Sequence, residues 1–199
     1  MARPLSEAKR EAILVSATKL VAALGTGAPT AKIAQGADIA EGTLFKYFAT
    51  KDDLLNEIYL TLKTDLARTL NEGFPALADM RERGWHIWSR WIDWGAKYPD
   101  KRKAMRQLGV SERITPASRQ AGMAAFREVS ETLEQAIAAG SLQGQPLAFV
   151  GALFESLAEA TVEFGRQRQL FERLKRHACA VGDEEGLRKR HIGVRRRFK

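Results

Sequence analysis

The chain has 199 residues, 45% of them hydrophobic and 28% charged, the proportions of a soluble globular protein able to bury a sizeable core in one or two domains, which excludes a disordered polypeptide. Its single cysteine, Cys179, excludes an intrachain disulfide and a Cys-rich metal site. No apolar run reaches the ~18 residues of a membrane span and no secretory leader is readable, so a cytoplasmic protein is expected. The net charge of +8 is no direct sign of a nucleic-acid partner: residues 166–199 hold twelve Lys or Arg against four acids, residues 1–165 sum to zero, and the first fifty carry six basic groups against four acidic ones.

In chain order, residues 1–5 read as a loose arm. Ser6 with acidic Glu7 opens a helix to about Leu24, with Ile13, Leu14, Ala17, Leu20, Val21 and Leu24 on one face, and the run Gly25-Thr26-Gly27-Ala28-Pro29 ends it. Two short helices are expected next. Ile33, Ala34 and Ala37 form the stripe of the first, and Leu44 and Phe48 that of the second. Between them Asp38 tolerates the left-handed backbone of a sharp turn, and Ile39 can plug the corner. With Leu44 and Phe48 inward, Glu41, Gly42, Thr43, Lys46 and Tyr47 are left for a DNA groove, with Phe45 at the margin. Glycine at 42 permits close approach to base edges. Thr30 stands at the start of the first helix, able to cap it or to donate to a phosphate, and Lys32 adds a cation. Thr50-Lys51-Asp52-Asp53 reads as a capped start of a long helix that presents Lys51 to the DNA backbone.

The order Ile33-Ala34, Gly42-Thr43-Leu44-Phe45, Tyr47-Phe48 and Lys51-Asp52-Asp53-Leu54-Leu55, together with the preceding Ala12-Ile13-Leu14, Ala17, Leu20 and Val21, resembles the tetracycline-repressor (TetR) family over roughly residues 6–60. The resemblance implies Thr30, Thr43, Tyr47 and Lys51 on phosphates, and Glu41, Gly42 and Lys46 near base edges. Two positions depart from the family. Phe45 stands where Tyr is usual, keeping only a ring contact such as one with a thymine methyl, and Asp38 stands where Gly is usual, placing an acid near the turn.

Beyond the head, Leu54, Leu55, Ile58, Tyr59, Leu62, Leu66 and Leu70 mark the long helix from Thr50 to Leu70, closed by Gly73-Phe74-Pro75. Helices are expected at about 76–97, around 100–109, at about 117–139 behind the start signal Thr115-Pro116, and from Pro146 to at least Leu170. No strand alternation and no fixed-period repeat is visible. The expected fold is therefore all-α: a three-helix helix-turn-helix head at 6–60, a helical bundle for effector binding and dimerisation at 61–178, and a basic, disordered tail at 179–199. The segment Leu187–Lys199 is dense in Lys and Arg, open to readings as a plain extension, a nonspecific DNA-contacting arm or an anionic-membrane contact.

The wide apolar stripes of 117–139 and 146–170 suit helices that cover their own domain and also pack against a second copy, and the resemblance implies a homodimer through them. Trp85, Trp88, Trp91 and Trp94 recur at steps of three and so wind around their helix, with Trp88, Trp91 and Ile92 expected inside and Trp85 and Trp94 nearer the edges. They either fill a core or, with Met80, Met105, Met123 and Phe126, wall an apolar effector cavity. Glu155 and Glu159 either orient a ligand there or are solvated or paired with Arg across a dimer. His86, His177, His191 and Cys179 form no catalytic or metal pattern, so neither an enzyme nor a metal or cofactor is expected. The expectation is a ligand-responsive repressor that binds double-stranded DNA at a palindromic operator. The rival is a helical protein-interaction or ligand-binding protein whose head no longer reads specific DNA.

Overall fold

The computed structural model describes residues 6–140 and 142–165, and these form nine α-helices and no strand. They are α1 Glu7–Leu24, α2 Thr30–Gly36, α3 Glu41–Tyr47, α4 Lys51–Asn71, α5 Met80–Lys97, α6 Pro99–Gly109, α7 Pro116–Ala124, α8 Arg127–Ala139 and α9 Leu147–Phe164. A 3-10 turn over Gly25–Gly27 follows α1. Two start signals act as their chemistry dictates. Thr50 caps α4 in a reciprocal capping box with Asp53, and Thr115 caps α7 by accepting from the Ser118 N–H, with Pro116 as first helical residue.

The helices divide into two compact units. The first comprises the described residues up to Glu72 together with Lys97–Val129, and the second comprises Gly73–Ala96 and the described residues from Ser130 onward. In the first unit α1 packs chiefly against α6 and also against α2 and α4, while α4 packs on α6 and α7. Ile13, Leu14, Ala17 and Val21 of α1 are buried, as are Leu54, Leu55, Ile58, Leu62 and Leu66 of α4 and Ala104, Met105 and Leu108 of α6. Leu24, expected on the buried face of α1, is instead half exposed, because α1 ends there and the chain turns away at Gly25 in a positive-φ conformation that suits glycine. Where α7 crosses α4, Gly122 lets the helices approach: a Cβ there would lie 2.9 Å from the Tyr59 ring.

Two features depart from the expected pattern. The single helix expected over 117–139 is broken at Ala125-Phe126, where Phe126 turns inward, 6% exposed, beneath the Lys63 ammonium 5.2 Å from its ring centroid. Local propensity favours continuing through the alanines, and burial of the phenylalanine overrides it. The tryptophans of α5 are also ordered differently. Trp94, expected near an edge, is 2% exposed, whereas Trp88 and Trp91 are only partly buried, against Ile92, Ala158 and Val162. Both rings meet Phe154 edge-on, at centroid distances of 5.3 and 5.5 Å. In α9 the described helix ends at Phe164. The expected continuation to Leu170, the region 179–199 with its basic tail, and His177, Cys179 and His191 lie outside the described residues.

Candidate nucleic-acid interface

The turn between α2 and α3 is set by Asp38, whose φ of 54° lies in the left-handed region that a short polar side chain tolerates. Ile33, Ala34, Leu44 and Phe48 are buried beneath it, and Ile39 is half-buried at the corner. A second device, not visible as a motif, holds α2 to α1: the Ser16 hydroxyl donates to the Ile33 carbonyl at 2.8 Å, and Gly36 clears space for it.

Burial of Leu44 fixes the rotation of α3. Glu41, Gly42, Phe45 and Lys46 are then exposed, while Thr43 and Tyr47 are half-exposed at its flanks. Nothing lies within 4 Å of where a Gly42 Cβ would be, so the fold itself does not require glycine there. Several side chains at this surface have protein partners. The Tyr47 hydroxyl accepts from the Ser6 backbone N–H at 3.0 Å, and the Thr30 hydroxyl donates to Glu41 Oε1 at 2.5 Å. Thr30 does not cap α2. Pro29 occupies the cap position in extended backbone and Thr30 is the first helical residue, so its hydroxyl is turned toward α3. Lys32 is exposed on α2.

The start of α4 completes the surface. Lys51 is its first residue, behind the Thr50 cap. Partial burial holds the Lys51 pKa below its usual 10.5, the Arg113 guanidinium adds to that depression, and Asp52 opposes it. Arg10 on α1 pairs with Glu57 on α4 and lies 5.6 Å from the Phe48 ring centroid, bracing the two helices. Arg113 and Asn56 carry no signal in the sequence because their contacts join positions 57 and 61 residues apart.

The residues expected around an effector cavity are distributed over both units. Trp88, Trp91, Ile92, Glu155 and Glu159 belong to the second unit, where Glu155 is exposed and Glu159 half-buried, and Met80 lies there also. Met105, Met123 and Phe126 belong to the first, Met105 and Phe126 buried and Met123 exposed. None of them lines a cleft of ≈ 390 Å³ in the first unit, whose wall includes Leu14, Val15, Leu62, Asp65, Tyr98 and Lys101.

Residues 13–58 match the family described as bacterial regulatory proteins, tetR family. Among solved structures, a tetR family transcription regulator from Shewanella sp. PV-4 superposes with a TM-score of 0.74 at 23% identity, over 87% of this chain and 94% of that one. One from Marinobacter aquaeolei VT8 gives 0.70 at 19% identity, over 83% and 91%. LfrR, a TetR-like transcriptional regulator from Mycobacterium smegmatis in complex with proflavine, gives 0.65 at 18% identity, over 88% and 97%. These likenesses establish a common fold across nearly the whole of those chains. Residues 13–58 thus match the bacterial regulatory proteins of the tetR family, and the chain shares the overall fold of solved TetR-family regulators.

Proposed function

We propose that the protein is a ligand-responsive repressor that binds a palindromic operator as a homodimer in the cytoplasm. The observation that carries the reading is the face of α3: with Leu44 buried, Glu41, Gly42 and Lys46 are open to base edges and Phe45 to a thymine methyl. Thr30, Lys32, Thr43, Tyr47 and Lys51 surround that face and serve as backbone-phosphate ligands. Occupying them requires Thr30 to give up its hydrogen bond to Glu41, whereas the Tyr47 hydroxyl, which accepts from the Ser6 N–H, keeps its own O–H free to donate to a phosphate. Release of Glu41 from Thr30 would free a carboxylate acceptor for a cytosine amino group.

For dimerisation, the support is the exposed apolar face of α9, Phe149, Leu153, Leu157 and Phe164, and the proposed interface also takes in residues 117–139. A two-fold pair would set its recognition helices ~34–36 Å apart, the spacing of successive major grooves. The effector reading draws on the partly buried Trp88 and Trp91 and on TetR-fold structures that hold small molecules, LfrR with proflavine and FadR from Bacillus subtilis with stearoyl-CoA. An effector that favours one head spacing over the other by ~1–3 kcal/mol changes operator affinity ~5- to 150-fold.

The test is binding of the purified protein to its own upstream region at two salt concentrations, beside the triple variant Thr43→Ala, Tyr47→Phe, Lys51→Ala. The expected outcome is salt-sensitive specific binding that the triple variant loses. Equal binding by both would sink the assignment of the head as the DNA reader.

A further inference from the structure

The segment between α6 and α7 is built onto the start of α4. The Asn56 side chain donates to the Arg113 carbonyl at 2.9 Å and accepts from the Thr115 N–H at 2.9 Å, so one amide clamps the loop on both sides. Arg119 fixes the same loop by donating to the carbonyls of Gly109 and Ser111, both at 2.8 Å. Held in this way, Arg113 reaches along α4 and donates from Nη1 to Asp52 Oδ1 at 2.7 Å. Its side chain remains 47% exposed, and the other N–H groups of its guanidinium meet no acceptor among the described residues.

Asp52 is the neighbour of Lys51, so the anchored loop brings a guanidinium into the surroundings of the proposed phosphate clamp. The depression of the Lys51 pKa by Arg113 is the electrostatic sign of that closeness. Asp53 is engaged by the Thr50 N–H and hydroxyl at 2.9 and 2.8 Å, which leaves Asp52 as the carboxylate partner of Arg113. Two cations beside one carboxylate, one of them with unused forked donors, suit a phosphodiester oxygen pair.

We infer that Arg113 is a second DNA-backbone ligand beside Lys51, supplied by the α6–α7 segment from outside the helix-turn-helix. The inference rests on the proposed role of Lys51 at the operator. Asp52 then acts as a placeholder that aims the guanidinium until a phosphate takes its free edge. Because the loop belongs to the same compact unit as the head, a rearrangement of α6 or α7 would alter the phosphate contact without any change in α3.

The experiment is a salt titration of binding by the full chain, on a duplex from its own upstream region and on a shuffled duplex. Each phosphate contact contributes ~0.9 to the slope of log K against log salt. Arg113→Ala should therefore lower the slope by ~0.9 per bound protomer on both duplexes, as should Lys51→Ala, and Arg113→Lys should restore most of it. A slope lost in Lys51→Ala but kept in Arg113→Ala overturns the role of Arg113 and leaves that of Lys51 standing; a slope kept in both overturns the two together. If Arg113→Ala proves too unstable to titrate, Asp52→Asn decides the matter with Arg113 intact. It frees the guanidinium and removes a repelling charge, so tighter binding is expected, and weaker binding would overturn the inference.

Discussion

Gly36 and Gly42 sit in the same head and are glycine for opposite reasons. A Cβ on Gly36 would fall 2.4 Å from the Ser16 hydroxyl oxygen, which is buried and bonded to the Ile33 carbonyl. Gly36→Ala should cost ~1–3 kcal/mol through overpacking. In a Ser16→Ala background most of that cost should vanish, since the nearest remaining atom, the residue 16 Cβ, is at 3.4 Å. A double-mutant cycle in denaturant measures the coupling, and simple additivity would show that the contact does not govern stability. At Gly42 the extra methyl meets nothing, so Gly42→Ala should keep the fold and gain up to ~1 kcal/mol of helix propensity. Its operator affinity should nevertheless fall, because the methyl stands between α3 and the base edges. A variant both more stable and equally tight on DNA would move Gly42 out of the groove.

At the scale of elements, the start of α4 joins stability to function. Thr50→Ala removes the side-chain half of the capping box, the bond from the Asp53 N–H to the Thr50 hydroxyl, leaves the backbone half from the residue-50 N–H to Asp53, and should cost ~1 kcal/mol. Lys51 acts in the other direction. Its folded pKa lies below 10.5, chiefly through burial and then through Arg113. The folded state thus resists the lysine's positive charge: the resulting destabilisation is full at pH below the folded pKa and is relieved as pH rises through it toward 10.5. Lys51→Met should therefore raise thermal stability at neutral pH, with a gain that shrinks as pH approaches 10.5, while weakening DNA binding. A fall in stability at neutral pH would contradict this balance. The cap at Thr50 and the cap-proline pair at Thr115-Pro116 were legible in the sequence because capping chemistry is local. The break at Ala125-Phe126, the Ser16–Gly36 contact and the Asn56 clamp were not, because each depends on a partner distant in sequence. The tryptophan ordering failed for a related reason. Steps of three wind around a helix whose rotation is set by what covers it, and that covering buries Trp94 more deeply than Trp88 or Trp91.

For the molecule as a whole, the decisive surface is the face of α9. Phe149, Leu153, Leu157 and Phe164 are between 41% and 70% exposed, while Val150, Ala158 and Val162 on the same helix are buried. A helix whose inner face is already covered and whose outer face remains apolar is built for a second partner. The stripe of 117–139 is different. Val129 and Ile137 of α8 are buried, which makes α9 the more sensitive place to break an assembly. Leu157→Glu would place an unpaired carboxylate at the proposed seam, a cost of ~3–5 kcal/mol if it stays buried and charged, which converts to a ~100-fold or greater rise in the dimer dissociation constant. The variant should elute and scatter light as a monomer at concentrations where the parent is dimeric, with the circular dichroism of a folded helical protein. On DNA, its affinity for a single half-site should match that of the parent, since α3 and the start of α4 are untouched. Its affinity for the full palindrome should drop toward the half-site value, because the gain from binding two linked heads is lost. A Leu157→Glu protein that stays dimeric and keeps its palindrome affinity would place the interface elsewhere.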